Sequence, residues 1–163
     1  KTLFPYTTLF RSRNIKPLNK PDLTVFFADD SIVARKQIMR TLDAMHVKYN
    51  GSINGREAWN ELEKIAAFAQ ASGQAVTDLV SLVLTDVEMP EMDGYILTKR
   101  IKSDPRFAGV PVIMHSSLSG MSNQQLGQSV GVDEYVAKFE PQKLSETLAR
   151  RLLGAEPVAR VES

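Results

Sequence analysis

The sequence predicts a doubly wound α/β domain: one five-stranded parallel sheet covered by helices on both faces. Three observations point to it. Short apolar runs alternate with helical patterns five times from Leu23 onward, the signature of repeated βαβ units. The clearest runs are apolar throughout, as strands buried on both sides are. Each run also ends in a polar or charged residue, which collects those residues at one edge of the sheet.

The elements follow in order. Leu23 to Ala28 reads as the first strand and ends at Asp29-Asp30. A helix from about Ser31 places Ile38, Leu42 and Met45 at i, i+4 and i+7 on its buried stripe. Val47 to Ile53 is a weaker second strand. Gly55 to about Ala71 is helical, with Ala58, Leu62, Ile65, Ala66 and Ala69 on one face and Trp59 packing beside them. Gly73 is its stop signal. Ser81 to Thr85 is the third strand, followed by Asp86 and a Pro-containing loop. A helix from Asp93 to about Ser103 is broken by Asp104-Pro105. Pro111 to His115 is the fourth strand and ends at Ser116-Ser117. The next helix, about Met121 to Val130, has Gly127 inside it and a thin apolar stripe, a composition suited to a moving element. Glu134 to Ala137 is the fifth strand and ends at Lys138. Pro141, at a first helical position, opens a last helix with Leu144, Leu148 and Leu152 in register. Right-handed crossovers then give the flavodoxin-like strand order 2-1-3-4-5.

Bulk properties narrow the chemistry. At 163 residues, with 43% hydrophobic and 24% charged, the chain fits one globular domain. The expected division is residues 1–21 as a disordered scar and linker, 22–153 as the domain, and 154–163 as a tail. Within the first segment Thr-Leu-Phe occurs at 2–4 and again at 8–10 without any period. No cysteine is present and the only histidines are His46 and His115, so thiolate or zinc sites are not expected. Five basic and no acidic residues lie in positions 1–20, leaving 15 basic against 19 acidic residues in the rest. The positive charge belongs to the tail, so a nucleic-acid footprint on the domain is not expected. No run of about 18 apolar residues offers a membrane span, and a cytoplasmic location is the expectation. Fewer than a dozen residues follow the last helix, too few for a DNA-binding segment.

Asp29, Asp30, Asp86, Ser116 and Lys138 are all assigned to the carboxyl edge, where this topology forms its crevice. Three convergent carboxylates repel one another unless a cation neutralises them. An all-oxygen donor set indicates Mg²⁺. With a lysine ammonium and a serine hydroxyl alongside, the set suits holding a phosphoryl group. The central carboxylate, Asp86, is placed to act as the nucleophile. His115 and His46 are expected to be packing and surface residues, and Arg35-Lys36 and Lys99-Arg100-Lys102 solvated faces.

Residues 22–153 resemble the receiver domain of two-component response regulators, a CheY-like fold. The resemblance lies in Asp29-Asp30, in Asp86 within the stretch Asp86 to Gly94, in Ser116 and in Lys138. It implies that Asp86 accepts a phosphoryl group from a histidine kinase. It implies Mg²⁺ on Asp30, Asp86 and the backbone carbonyl of Glu88, with Asp29 assisting through water. Ser116 and Tyr135 would form the switch, and Lys138 would pair with the phosphoryl group. Pro111 to Gly120 and Gly131 to Phe139 further resemble the receiver of CheV-type chemotaxis coupling proteins. That likeness implies a CheA-like phosphodonor and a CheW-like domain upstream, absent here, linking to chemoreceptor arrays. The chain departs from the family pattern where Phe139 follows Lys138; the proline waits until 141, and a trans bond is expected there. Glu88 is either a modulator of dephosphorylation or a solvated acid. A stand-alone or degenerate receiver is the alternative. A Mg²⁺-dependent phosphohydrolase is disfavoured, because the acidic pair comes first and Glu88 stands where its second Asp would be.

Overall fold

A computed structural model of the chain describes residues 15–117 and 121–154. The elements are β1 (Thr24–Ala28), α1 (Ile32–Met45), β2 (Lys48–Ser52), α2 (Gly55–Ser72), β3 (Leu82–Thr85), α3 (Gly94–Ser103), β4 (Val112–Ser116), α4 (Met121–Ser129), β5 (Glu134–Ala137) and α5 (Pro141–Leu152). Short 3₁₀ turns at Val76–Asp78 and Pro105–Phe107 complete the connections. The five strands form one sheet in the order β2-β1-β3-β4-β5, every pair parallel, as expected.

Alternation along each strand divides the core in two. Phe26, Ala28, Val83 and Val112 face Leu62, Ala66, Leu97 and Ile101 of α2 and α3. Val25, Phe27, Leu84, Ile113 and Val136 face Ile38 and Leu42 of α1 and Leu144 and Leu148 of α5. The helices start where side-chain caps are available. Ser31 Oγ accepts from Ala34 N–H at 3.2 Å, Asn54 Oδ1 from Glu57 N–H at 2.8 Å, and Asp93 Oδ1 from Ile96 N–H at 2.9 Å. Gly127, which weakens α4 locally, has a packing reason. A Cβ there would stand 3.0 Å from Val132 Cγ1 and 3.4 Å from the Met114 sulfur.

Three expectations need correction. The segment read as disordered linker is not free chain after residue 14: Ile15 is buried in the α1–α5 core and Leu18 packs against it. Residues 1–14, the scar among them, and most of the tail lie outside the described residues. Lys102 is not simply solvated, since its Nζ lies 2.6 Å from Asp133 Oδ2 and 3.2 Å from the Val110 carbonyl. Arg35 is likewise engaged, donating from Nη1 to the Asp29 carbonyl at 2.9 Å. His46 is exposed and caps α1 in the left-handed region, and Trp59 packs on Phe107 with Arg100 over its ring.

Candidate phosphoacceptor site

The sheet itself aims the site residues. Each lies one step past a strand end, with its backbone still bonded to the neighbouring strand. Asp29 N–H donates to the Ser52 carbonyl (3.1 Å), Asp86 N–H to that of Ala28 (2.8 Å) and Lys138 N–H to that of Ser116 (2.9 Å). These ladder bonds hold three charged side chains at one edge before any side-chain contact is made.

Lys138 Nζ lies 3.0 Å from Asp29 Oδ2 and 3.2 Å from Asp86 Oδ2, with the lysine side chain 8% exposed. Asp29 is fully buried and Asp86 nearly so, while Asp30 faces solvent. One carboxylate oxygen from each of the three lies within 4.8 Å of the others. Asp29 Oδ1 accepts from Ser31 N–H at 2.8 Å, and Asp86 Oδ1 from Val87 N–H at 2.8 Å. Asp29 Oδ2 has only the ion pair with Lys138 and accepts no well-directed hydrogen bond. A buried carboxylate oxygen with spare lone pairs, beside two more carboxylates, fits a hard divalent cation.

The electrostatics follow from that crowding. Burial first, and then the charge of Asp29, push the Asp86 carboxyl up from 3.8 to about 7, against the pull of Lys138 and of the Val87 N–H. Burial also costs the Lys138 ammonium, but Asp29 and Asp86 more than offset it and raise its pKa. His115 is buried behind the crevice; burial and the Lys138 charge lower its pKa to about 3. It is a neutral imidazole at physiological pH, in keeping with the packing role expected of it.

The loop after Asp86 is shaped by a close approach. A Cβ on Gly94 would strike the Asp86 carbonyl oxygen, so the start of α3 can sit against the Asp86 backbone only as glycine. Gly94 N–H donates to the Val87 carbonyl at 2.8 Å, and Met89 and Met92 bury to anchor the loop. Glu88, just before Met89 in the chain, is exposed to solvent. Ser116 is buried at the end of β4, next to Ala137 in register. Tyr135 is half-buried opposite Met114. Phe139 is exposed at φ 64°, and every described peptide bond is trans, the Lys138–Phe139 bond included. The structure therefore brings Asp29, Asp30, Asp86 and Lys138 together and leaves Ser116 beside them on the adjoining strand. Arg35, the fourth residue of α1, was missed as a partner of Asp29; its six-residue spacing follows no surface period of the helix.

The model of the response regulator receiver domain matches residues 25–149. The chain belongs to that family. Among its relatives, the chemotaxis protein CheV3 of Helicobacter pylori is 31% identical over 128 residues, 78% of this chain and 40% of that protein. CheY1 of the same organism is 31% identical over 128 residues, 77% of this chain and 94% of that protein. A putative response regulator from Chloroflexus aurantiacus superposes with a TM-score of 0.69 at 26% identity, over 82% of this chain and 99% of that structure. The resemblance to CheV receivers is thus upheld, alongside one to CheY proteins. The receiver spans about two-fifths of the CheV relative's length. Among the described residues, no helix is long and apolar enough to cross a membrane.

Proposed function

We propose that this receiver takes a phosphoryl group onto Asp86 from the phosphohistidine of a CheA-like kinase and passes the change to a chemotaxis partner in the cytoplasm. The observation that supports it most is the buried Asp86 carboxylate, paired with Lys138 and grouped with Asp29 and Asp30. In the transfer an Asp86 oxygen forms the new bond to phosphorus, the histidine P–N bond breaks, and the leaving imidazole takes up a proton. With a pKa near 7, Asp86 is only partly ionised at neutral pH, and bound cation would favour the reactive carboxylate. Mg²⁺ held by Asp30, Asp86 and the Glu88 carbonyl, with Asp29 behind water, would supply neutralisation of the phosphoryl oxygens. Lys138 orients and balances the charge on the product, and Ser116 approaches a phosphoryl oxygen with Tyr135 following it inward. Glu88, exposed two residues on, would modulate hydrolysis of the product. In a CheV-like parent, a CheW-like domain would tie this receiver to a chemoreceptor array.

Acetyl phosphate with Mg²⁺ tests the reading by intact-protein mass. The expected product is a single adduct of about 80 Da, one phosphoryl group, absent from Asp86→Asn. No adduct on the wild type would leave the degenerate receiver, and continuous turnover of a free phosphoester would leave a phosphohydrolase.

A further inference from the structure

The segment expected to be loose linker is tied to two helices that both start at the phosphoacceptor crevice. Ile15 is only 7% exposed and belongs to the same apolar cluster as Ile38, Leu42 and Leu148. Leu18 N–H donates to the carbonyl of Met45, the last residue of α1, at 3.0 Å. Asn19, at φ 55°, then turns the chain toward β1. Pro17 and Pro21 limit what the segment can do when released. Opposite it, across a groove of about 340 Å³, stand Gln142, Ser145 and Ala149 of α5.

Both helices begin at the site. The N-cap of α1, Ser31, donates its N–H to Asp29 Oδ1, and Arg35 in the first turn holds the Asp29 carbonyl. Helix α5 opens at Pro141, three residues after Lys138. The Asp29–Lys138 ion pair is therefore a brace between the beginnings of α1 and α5. Well-packed interfaces resist displacement; the unfilled groove under the segment leaves α5 room to shift without displacing packed side chains.

We propose that Ile15 to Leu18 is a strap that passes the phosphorylation state of Asp86 to the chain preceding the domain. The inference rests on Asp86 being the phosphoacceptor. A phosphoryl dianion on Asp86 outcompetes Asp29 for Lys138, the brace between α1 and α5 opens, and the strap loses its seat. By linkage, freeing the strap favours the phosphorylated form by the factor with which phosphorylation frees the strap.

Hydrogen exchange at the Leu18 amide of the full chain reads this directly, with beryllofluoride and Mg²⁺ as the phosphoryl mimic and acetyl phosphate labelling measured in parallel. The expected result is exchange faster by about fivefold or more, the lower end of ordinary allosteric coupling. Ile15→Ser is expected to show fast Leu18 exchange without the mimic and tighter beryllofluoride binding, while Ile15→Val behaves as wild type. Labelling of Asp86 with Leu18 exchange unchanged would overturn the strap alone. Absence of labelling would overturn the phosphoacceptor reading, and the strap with it.

Discussion

Asp86→Asn is expected to stabilise the fold, by an amount that grows as pH rises from about 4 to about 7. The folded protein holds the Asp86 proton up to about pH 7, whereas the unfolded chain releases it near 3.8. Between those values the native state binds more protons than the unfolded one, so the carboxyl lowers stability as pH rises through that window. Three units at about 1.4 kcal/mol each amount to about 4 kcal/mol by pH 8. The side chain is 5% exposed, so solvent screens little of this. Asparagine can still accept from Val87 N–H but loses the attraction of Lys138, which leaves a net gain of about 1–3 kcal/mol. For a domain of this size that is roughly 3–12 °C in Tm. Thermal or urea unfolding of both proteins from pH 4 to 8.5, without divalent metal, measures it: the curves should lie closest near pH 4, diverge as pH rises to about 7 and run parallel above that. Millimolar Mg²⁺ should then narrow the gap, since a cation bound to the native carboxylates stabilises the wild type by mass action. A gap that stays constant with pH, or an asparagine variant less stable at pH 8.5, would refute the reasoning that Asp86 is held under charge strain.

His115→Phe should flatten the acid limb of the same stability profile. The unfolded histidine takes a proton below about 6.5 while the folded one, held down to about 3, does not. The wild type therefore loses up to about 5 kcal/mol between those values. Urea midpoints at pH 7, 5 and 4 should show the phenylalanine variant gaining on wild type as acid increases; parallel profiles would mean that His115 is not buried in neutral form. Gly94→Ala should cost about 3 kcal/mol, because the added methyl meets the Asp86 carbonyl oxygen. It should also slow acetyl phosphate labelling by displacing the Asp86 backbone. A variant that melts and labels like wild type would show that α3 can move away from β3 freely.

The parts of this receiver legible in its sequence are those that topology alone decides. In a parallel sheet every strand exits at one edge, so Asp29, Asp86, Ser116 and Lys138 had to converge once the five apolar runs were recognised as strands. No side-chain detail was needed. Serine, asparagine and aspartate at positions 31, 54 and 93 mark the helix starts for an equally local reason, each bonding to a backbone N–H three residues ahead. What escaped depends on geometry that no period records. Arg35 and Lys102 look like members of basic surface clusters, yet each long side chain reaches past its own helix to a carbonyl or carboxylate elsewhere. Ile15 stands alone among polar and proline residues, without repeat or alternation. Its burial is decided by the groove that α1 and α5 leave between them. Gly127 argued for a frail helix, because the absent side chain is informative only when Val132 and Met114 are seen beneath it. The same distinction bears on function. That Asp86 and Lys138 would meet follows from the order of strands. That Lys138 is shared with Asp29, so that a charge added at Asp86 must be felt at the first turns of both α1 and α5, follows only from the distances of 3.0 and 3.2 Å.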